Sequence, residues 1–331
     1  MAPERRGAAA SGVRPAQAAS APAFLAVCGH TNIDVQLQVK EIPKPGQSVP
    51  VLDRRTVWGG TACNIARHAA GLGVPVRLWS RVGDDFPADW RKDLESDGVD
   101  LLHLDVARGG RTPTCFILTD LVERQSFCMD QGAMAGMVDH PPEPSLLDGM
   151  PRGGWLHLAT GDPVAYAPLA KTARERGLYV ALDPGQELRF MYDARSFEGL
   201  LEMSDVLFLN QDELKIACGY LGYADPVQFL DHVATVVVTR GAKGASLYRS
   251  GKKAHHLPAF PVRVVDPTGA GDALRAGWYA ALWEGRTSEE ALRRGQAAAA
   301  VKLGHAGSQD PVVRPVELEQ VLSGAPSVQG A

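Results

Sequence analysis

Short, continuously apolar runs alternate along most of this chain with stretches whose apolar residues recur at helical spacing. Strands are predicted at Phe24–Cys28, Val76–Val82, Trp155–Ala159, Leu178–Leu182, Val206–Leu209 and Thr235–Thr239. Runs this short and this uniformly apolar suit strands covered by helices on both faces. Between them, helical patterns cover Thr61–Leu72, Ala88–Asp97, Val164–Arg176 and Asp212–Cys218. In the first, Ala62, Ile65, Ala66 and Ala69 share one face, and Gly73 follows as a stop. The alternation predicts an α/β fold, a doubly wound, mostly parallel sheet flanked by helices.

Two regions break the pattern. Val35–Val39 and Val49–Trp58 alternate with period two around Pro43, Pro45 and Gly46, and Thr114–Thr119 and Arg124–Met129 do the same across Asp120–Glu123. They predict a small β-sheet inserted into the α/β body at about 35–58 and 114–131. Such a sheet serves as a lid over a cleft, as a surface through which two copies pair, or as both.

Composition narrows the function classes. With 34 Lys+Arg against 38 Asp+Glu, the net charge of −4 lacks the basic footprint of a nucleic-acid binder. No apolar run approaches the length of a membrane span. The 5 cysteines are odd in number and scattered, which fits reduced thiols in a cytoplasmic protein. Residues 1–23 lack large apolar side chains and predict a disordered tail, and 323–331 predict a loose C-terminal end. The folded unit is then expected over 24–322.

The strongest chemical signal is Val264-Val265-Asp266-Pro267-Thr268-Gly269-Ala270-Gly271-Asp272-Ala273-Leu274-Arg275-Ala276-Gly277. It predicts a strand ending near Val265, a tight turn, and a helix from about Ala270 to Leu282. Small residues at Gly269, Ala270 and Gly271 let backbone amides approach an anion, and the helix start adds unpaired N–H groups. The chain carries no Walker lysine motif. Asp272 at the same helix start repels phosphate, so it suits contact with a hydroxyl that attacks phosphate. It also suits a capping carboxylate.

This string resembles the C-terminal signature of the ribokinase-like (PfkB) family of carbohydrate and nucleoside kinases. Trp58-Gly59-Gly60-Thr61-Ala62-Cys63-Asn64-Ile65-Ala66 with Gly71-Leu72-Gly73 resembles the family's N-terminal signature. Further matches, in order, are Gly29-His30-Thr31-Asn32-Ile33-Asp34, Asn210-Gln211-Asp212-Glu213, and Thr239-Arg240-Gly241 with Gly244. The resemblance implies a ribokinase-like fold and ATP-dependent phosphoryl transfer. It implies Asp272 as catalytic base, Gly269, Ala270 and Gly271 as the anion hole, and Glu213 with Asn210 organising Mg²⁺ and its waters. By spacing alone, Asn210 and Glu213 also read as a strand-end turn and a solvated helix residue. Asp34, with Asn32 beside it, matches the position that receives sugar hydroxyls. Gly59 and Gly60 match the pair lying against the sugar, and Asn64, otherwise a polar residue at a helix start, points to the same place. Thr239, Gly241 and Gly244 match the loop at the ATP phosphates, and adenine is expected near Lys302 to Gly307, where Ala306-Gly307 is suggestive. Asp266 and Thr268 match positions that hold K⁺ in some members.

Ala159-Thr160-Gly161-Asp162-Pro163, Asp183-Pro184-Gly185-Gln186 and Arg275 resemble archaeal-type nucleoside kinases of broad specificity. Phosphorylation of a nucleoside at its 5′-hydroxyl is the activity this implies. Phe116, Phe127 and Met129 could form a slot for the base or simply the small sheet's own core, and Gln131 could read a base edge. A free sugar, sugar acid or sugar phosphate such as ribose 1-phosphate would use the same catalytic residues. A phosphorylated substrate would call on Arg275, or on Arg54 and Arg55, as a cationic clamp. A non-catalytic nucleotide sensor is the non-enzyme alternative.

Overall fold

The computed structural model describes residues 23–324. The expectations for residues 1–22 and 325–331 lie outside them. Ala23, counted with the tail, is buried. The chain runs β1 (Leu25–Cys28), β2 (Asn32–Val39), β3 (Val51–Gly59), α1 (Thr61–Gly71), β4 (Val76–Gly83), α2 (Ala88–Ser96), β5 (Val99–Asp100), β6 (Leu104–Ala107), β7 (Thr114–Thr119) and β8 (Gln125–Asp130). It continues through β9 (Trp155–Leu158), α3 (Pro163–Glu175), β10 (Tyr179–Leu182), α4 (Ala194–Leu201), β11 (Val206–Asn210), α5 (Gln211–Leu221), β12 (Thr235–Thr239), β13 (Ala245–Arg249) and β14 (His255–Leu257). Helices α6 (Ala270–Trp283), α7 (Ser288–Leu303) and α8 (Pro315–Ser323) complete it.

The main sheet has the order β14-β13-β12-β11-β10-β9-β1-β4-β5, with β6 also paired to β4. From β12 to β5 every pairing is parallel, and only the β12–β13 and β13–β14 pairings at one edge are antiparallel. Period-two alternation divides each central strand between two cores. Leu25 and Val27 pack on the side of α1, α2, α6, α7 and α8, while Ala26 and Cys28 pack on the side of α3, α4 and α5. This two-sided covering explains the continuously apolar strands.

The expected strand ending near Val265 does not form. Val264 and Val265 are exposed, and the described tie of this stretch to its neighbour is one bond from Val265 N–H to the Leu303 carbonyl, 2.7 Å. The sheet ends at β14, and the β-branched run pairs with no described strand.

The small sheet has the order β3-β2-β7-β8. Residues directly opposite one another share a face. Asp34 lies opposite Val57 and Cys115, and Cys115 opposite Met129; two residues on, Gln36 meets Ile117, which meets Phe127. Phe127 and Met129 therefore share Asp34's face. Phe116 pairs with Val35 and Cys128 and points to the other side. The three apolar side chains grouped in the sequence are thus split between faces, and all three are exposed rather than a core.

Candidate active site

The C-terminal ends of the parallel strands converge on one rim, where open α/β sheets bind ligands. Helix α6 starts there at Ala270, after Gly269 in the left-handed region (φ 78°). Gly269 lies so close to the loop after α7 that a Cβ would come within 2.8 Å of the Ser308 carbonyl oxygen. The helical ladder begins with Ala273 N–H donating to Gly269 O, 2.9 Å, so the N–H groups of Gly271 and Asp272 precede it.

Asp272 makes no capping bond to this helix. Its Oδ2 instead accepts from Asn64 Nδ2 at 2.7 Å, a contact between residues 208 apart in sequence. Burial raises its pKa to about 7; Asn64 and Arg275 oppose the shift, and the charges of Asp183 and Asp34 add to it. Asp34 is buried at the foot of the small sheet and accepts from Asn32 Nδ2, 2.8 Å. Burial lifts its pKa to about 6, Asn32 lowering it and Asp266 adding to the rise. A Cβ on Gly59 would run into Asp34 Oδ2, so only glycine lets the end of β3 lie against that carboxylate. Gly60 then leads into α1, where Asn64 sits in the first turn. The Oδ1 atoms of Asn32 and Asn64 are buried without a hydrogen-bond partner. Buried polar atoms are normally paired, and these two belong to the side chains that bind the carboxylates of Asp34 and Asp272.

Asn210 caps α5. Its Oδ1 accepts from the Asp212 and Glu213 amides, and Glu213 accepts from Asn210 N and Nδ2 at 2.7 and 2.6 Å. Glu213 is buried rather than solvated. Burial, then the charge of Asp183, raises its pKa to about 7. An undercompensated carboxylate of this kind fits a dication held mainly by phosphate oxygens and water. Among the described residues no cluster of three acidic, His or Cys side chains forms a dedicated cage. Thr239 ends β12, and Gly241 and Gly244 bracket the short turn that follows.

Arg275 is not a free cationic clamp. Its Nε and Nη2 bind Asp183 Oδ2 and Oδ1 at 2.8 and 2.9 Å, and Nη1 donates to Gly271 O at 3.2 Å. Behind it, Tyr279 OH meets His157 Nδ1 at 2.7 Å, and His157 Nε2 lies 3.4 Å from Asp183. Arg275, chiefly, and His157 hold the buried Asp183 carboxyl down at about 2. Arg54 and Arg55 are exposed, Arg55 beside Asp53. The Asp183–Arg275 pair escaped the sequence reading, although Asp183 follows a strand end, the position where such folds place functional groups. Gln131 is likewise engaged: Nε2 donates to Glu187 at 2.8 Å, and Oε1 lies 2.6 Å from His30 Nε2.

Asp266 accepts from Thr268 N–H and Gly307 N–H, each at 2.9 Å, fastening the turn to the loop after α7. Ala306 is exposed there, whereas Lys302 is fully buried and cannot line a ligand surface.

Residues 22–314 match the family model described as pfkB family carbohydrate kinase. The chain is 35% identical over 269 residues to a nucleoside kinase of Thermoplasma acidophilum, covering 81% of this chain and 85% of that protein. It is 33% identical over 293 residues to an ATP-dependent ribose-1-phosphate kinase of Halopiger xanaduensis, covering 85% and 92%. The crystal structure of Methanocaldococcus jannaschii nucleoside kinase, an archaeal member of the ribokinase family, superposes with a TM-score of 0.82 at 28% identity, covering 92% of this chain and all of that one. The fold is ribokinase-like, the protein is a kinase, and the chain belongs to the pfkB family of carbohydrate kinases.

Proposed function

We propose that this protein transfers the γ-phosphoryl group of ATP to the 5′-hydroxyl of a ribonucleoside, in the presence of Mg²⁺. The observation that carries the reading is the pairing of Asp272 with Asn64 at the start of α6, with Asp34 at the foot of the small sheet. Asp34 accepts hydrogen bonds from the ribose hydroxyls, with the unpaired Asn32 and Asn64 oxygens beside it. The attacking hydroxyl then meets Asp272, which orients it and takes its proton as the bond to phosphorus forms. A carboxylate with a pKa near 7 is matched to that task at neutral pH. The amides at Gly269, Ala270 and Gly271, at the positive end of α6, receive the charge on the transferring phosphoryl group. Asn210 and Glu213 would hold the Mg²⁺ waters, and Mg²⁺ when bound neutralises the developing phosphate charge. Thr239, Gly241 and Gly244 face the remaining ATP phosphates, and Ala306 and Gly307 the adenine.

The nucleoside rather than a sugar phosphate is favoured because Arg275, the cation nearest Asp272 in sequence, is committed to Asp183. The kinship with a ribose-1-phosphate kinase supports the second reading. Exposed Phe127 and Met129 on Asp34's face supply the surface for a base, and Gln131 would reach its edge only by leaving Glu187 and His30. The exposed apolar residues of the small sheet also fit pairing of two copies through it. The 5 cysteines are free thiols, consistent with a cytoplasmic enzyme. Among the described residues no helix is long and apolar enough to cross a membrane. Coupled assays with ATP and Mg²⁺ across ribonucleosides, ribose and ribose 1-phosphate test the assignment. Turnover of ribose 1-phosphate far above every nucleoside would transfer it to the second reading.

A further inference from the structure

Lys302 is fully buried in the last turn of α7, and its Nζ donates to the His305 carbonyl at 3.0 Å. An ammonium group leaves water only at considerable cost unless charge and carbonyl oxygens receive it. Burial pulls the Lys302 pKa below the ordinary lysine value, and the charges of Asp266 and Asp310, with the negative end of the α7 dipole, oppose that shift. Asp266 in turn accepts from Thr268 and Gly307 N–H, Val265 N–H donates to Leu303 O, and Gly269 packs on Ser308. Lys302 therefore sits under a double loop, 265–269 against 303–308, whose one strand leads straight into the 269–272 turn. Carbonyl oxygens facing a carboxylate are also what an alkali-metal ion would take. In this chain each Asp266 oxygen already accepts an amide, and a tethered ammonium occupies a carbonyl of the same loop, so an added K⁺ would meet a like charge there.

We propose that Lys302 is a built-in cation, a positioning residue whose ammonium holds the Asp266 loop pair and thereby aims the anion-hole turn, making the kinase independent of monovalent metal ions. The inference rests on the assignment of Gly269–Gly271 to the transferring phosphate. A lysine that merely fills space would make no prediction about alkali ions, whereas a charge substitute does.

The test compares wild type with Lys302→Ala and Lys302→Met in KCl, NH₄Cl and choline chloride at equal ionic strength, reading both turnover and melting temperature. Wild type is expected to give the same rate and the same melting temperature in all three salts. Lys302→Ala is expected to lose about 10²-fold in kcat in choline, the cost of displacing a reacting group by about 1 Å. K⁺ or NH₄⁺ should restore much of that loss and raise the melting temperature. Lys302→Met, which fills the space without a charge or a cavity, should lose activity without such rescue. Wild-type activation by K⁺ of more than about threefold over choline would overturn the proposal, and that arm stands even where a variant fails to fold. A folded Lys302→Ala with full activity in choline, or one that no cation rescues, would overturn it as well. The salt-dependent melting of Lys302→Ala separates this failure from a failure of the anion-hole assignment, because it requires no substrate.

Discussion

The turn that carries Asp272 and the small sheet that carries Asp34 face the same cleft, but they are held in different ways. The turn is fastened from every side, through Asp266 to Gly307, Gly269 to Ser308, Arg275 to Asp183 and Asn64 to Asp272 itself. The small sheet is covered unevenly: Val35, Val39 and Ile117 of its two central strands are buried, but its two outer strands are largely exposed. Residues 51–56 of β3 are exposed, as are Phe127 and Met129 of β8. Its firm ties lie at its foot, where Ser308 Oγ donates to Trp58 O at 3.0 Å beside Gly59. Groups that stabilise charge must be in place before reaction, since reorganising them costs rate. Groups that recognise the acceptor must let it in, and sparsely packed segments open most readily. We propose accordingly a fixed phosphoryl-transfer floor and an acceptor lid that opens about its foot.

The largest effect that can sharpen this contrast is expected from Asp272→Asn. Loss of the general base should lower kcat by roughly 10²–10⁴-fold with ATP affinity kept. Stability should not fall with it. The folded pKa of about 7 lies above the ordinary 3.8, so the neutral form is favoured in the fold. The stability this contributes is fully present below about pH 4 and is lost as pH rises through 7. At pH 8 the neutral asparagine should melt at or above wild type. Retention of more than about a tenth of kcat would remove Asp272 from the role of base.

Next in size is Gly59→Ala, at the junction of floor and lid. The added methyl would run into Asp34 and displace the carboxylate proposed to receive the acceptor. A misplacement of this order costs about 10²-fold in kcat/KM, expected here mainly through the acceptor's KM. An unchanged acceptor KM, with loss only in ATP binding, would break the assignment of this junction to the acceptor.

A smaller effect concerns pH. With Asp272 titrating near 7, kcat/KM should climb as pH rises through that value. The Asn64 hydrogen bond favours the ionised form, so Asn64→Ala should move this acid limb to higher pH. A limb that stays put, measured on a variant of normal melting temperature, would show that another group controls it.

How legible this arrangement is in the sequence follows the same division. The floor's main devices are local: small residues, an aspartate and an apolar helix in a few consecutive positions announce the 269–272 turn. Its braces are not. Asp183 and Arg275 lie 92 residues apart, and only the position of β10 beneath α6 brings them together. Lys302 reads from the sequence as the start of the stretch near adenine, and its burial takes it out of that role. The β-branched run at Val264–Val265 reads as a strand, yet it stays exposed and is tied to Leu303 at the end of α7 rather than to a strand. In the lid, the period-two pattern predicts the strands but not their register, so Phe116, Phe127 and Met129 look equivalent.

Register supplies the finest test of the lid. Phe127 and Phe116 are both exposed aromatic residues on neighbouring strands, and truncating either removes the same chemistry from the surface. They differ in face: Phe127 shares that of Asp34 and Met129, and Phe116 points away beside Val35 and Cys128. If a nucleobase packs under the sheet, Phe127→Ser should raise the nucleoside KM by about two- to tenfold, the scale of one aromatic contact. The hinge and floor are untouched, so kcat and the KM for ATP should hold. Phe116→Ser should leave the nucleoside KM unchanged and show itself, if two copies pair through that face, in the sedimentation of the protein. Equal effects of the two substitutions on KM would mean that the sheet acts only through its overall stability. A nucleoside KM raised by Phe116→Ser alone would place the base on the face opposite Asp34, and the acceptor geometry proposed for the lid would then fail.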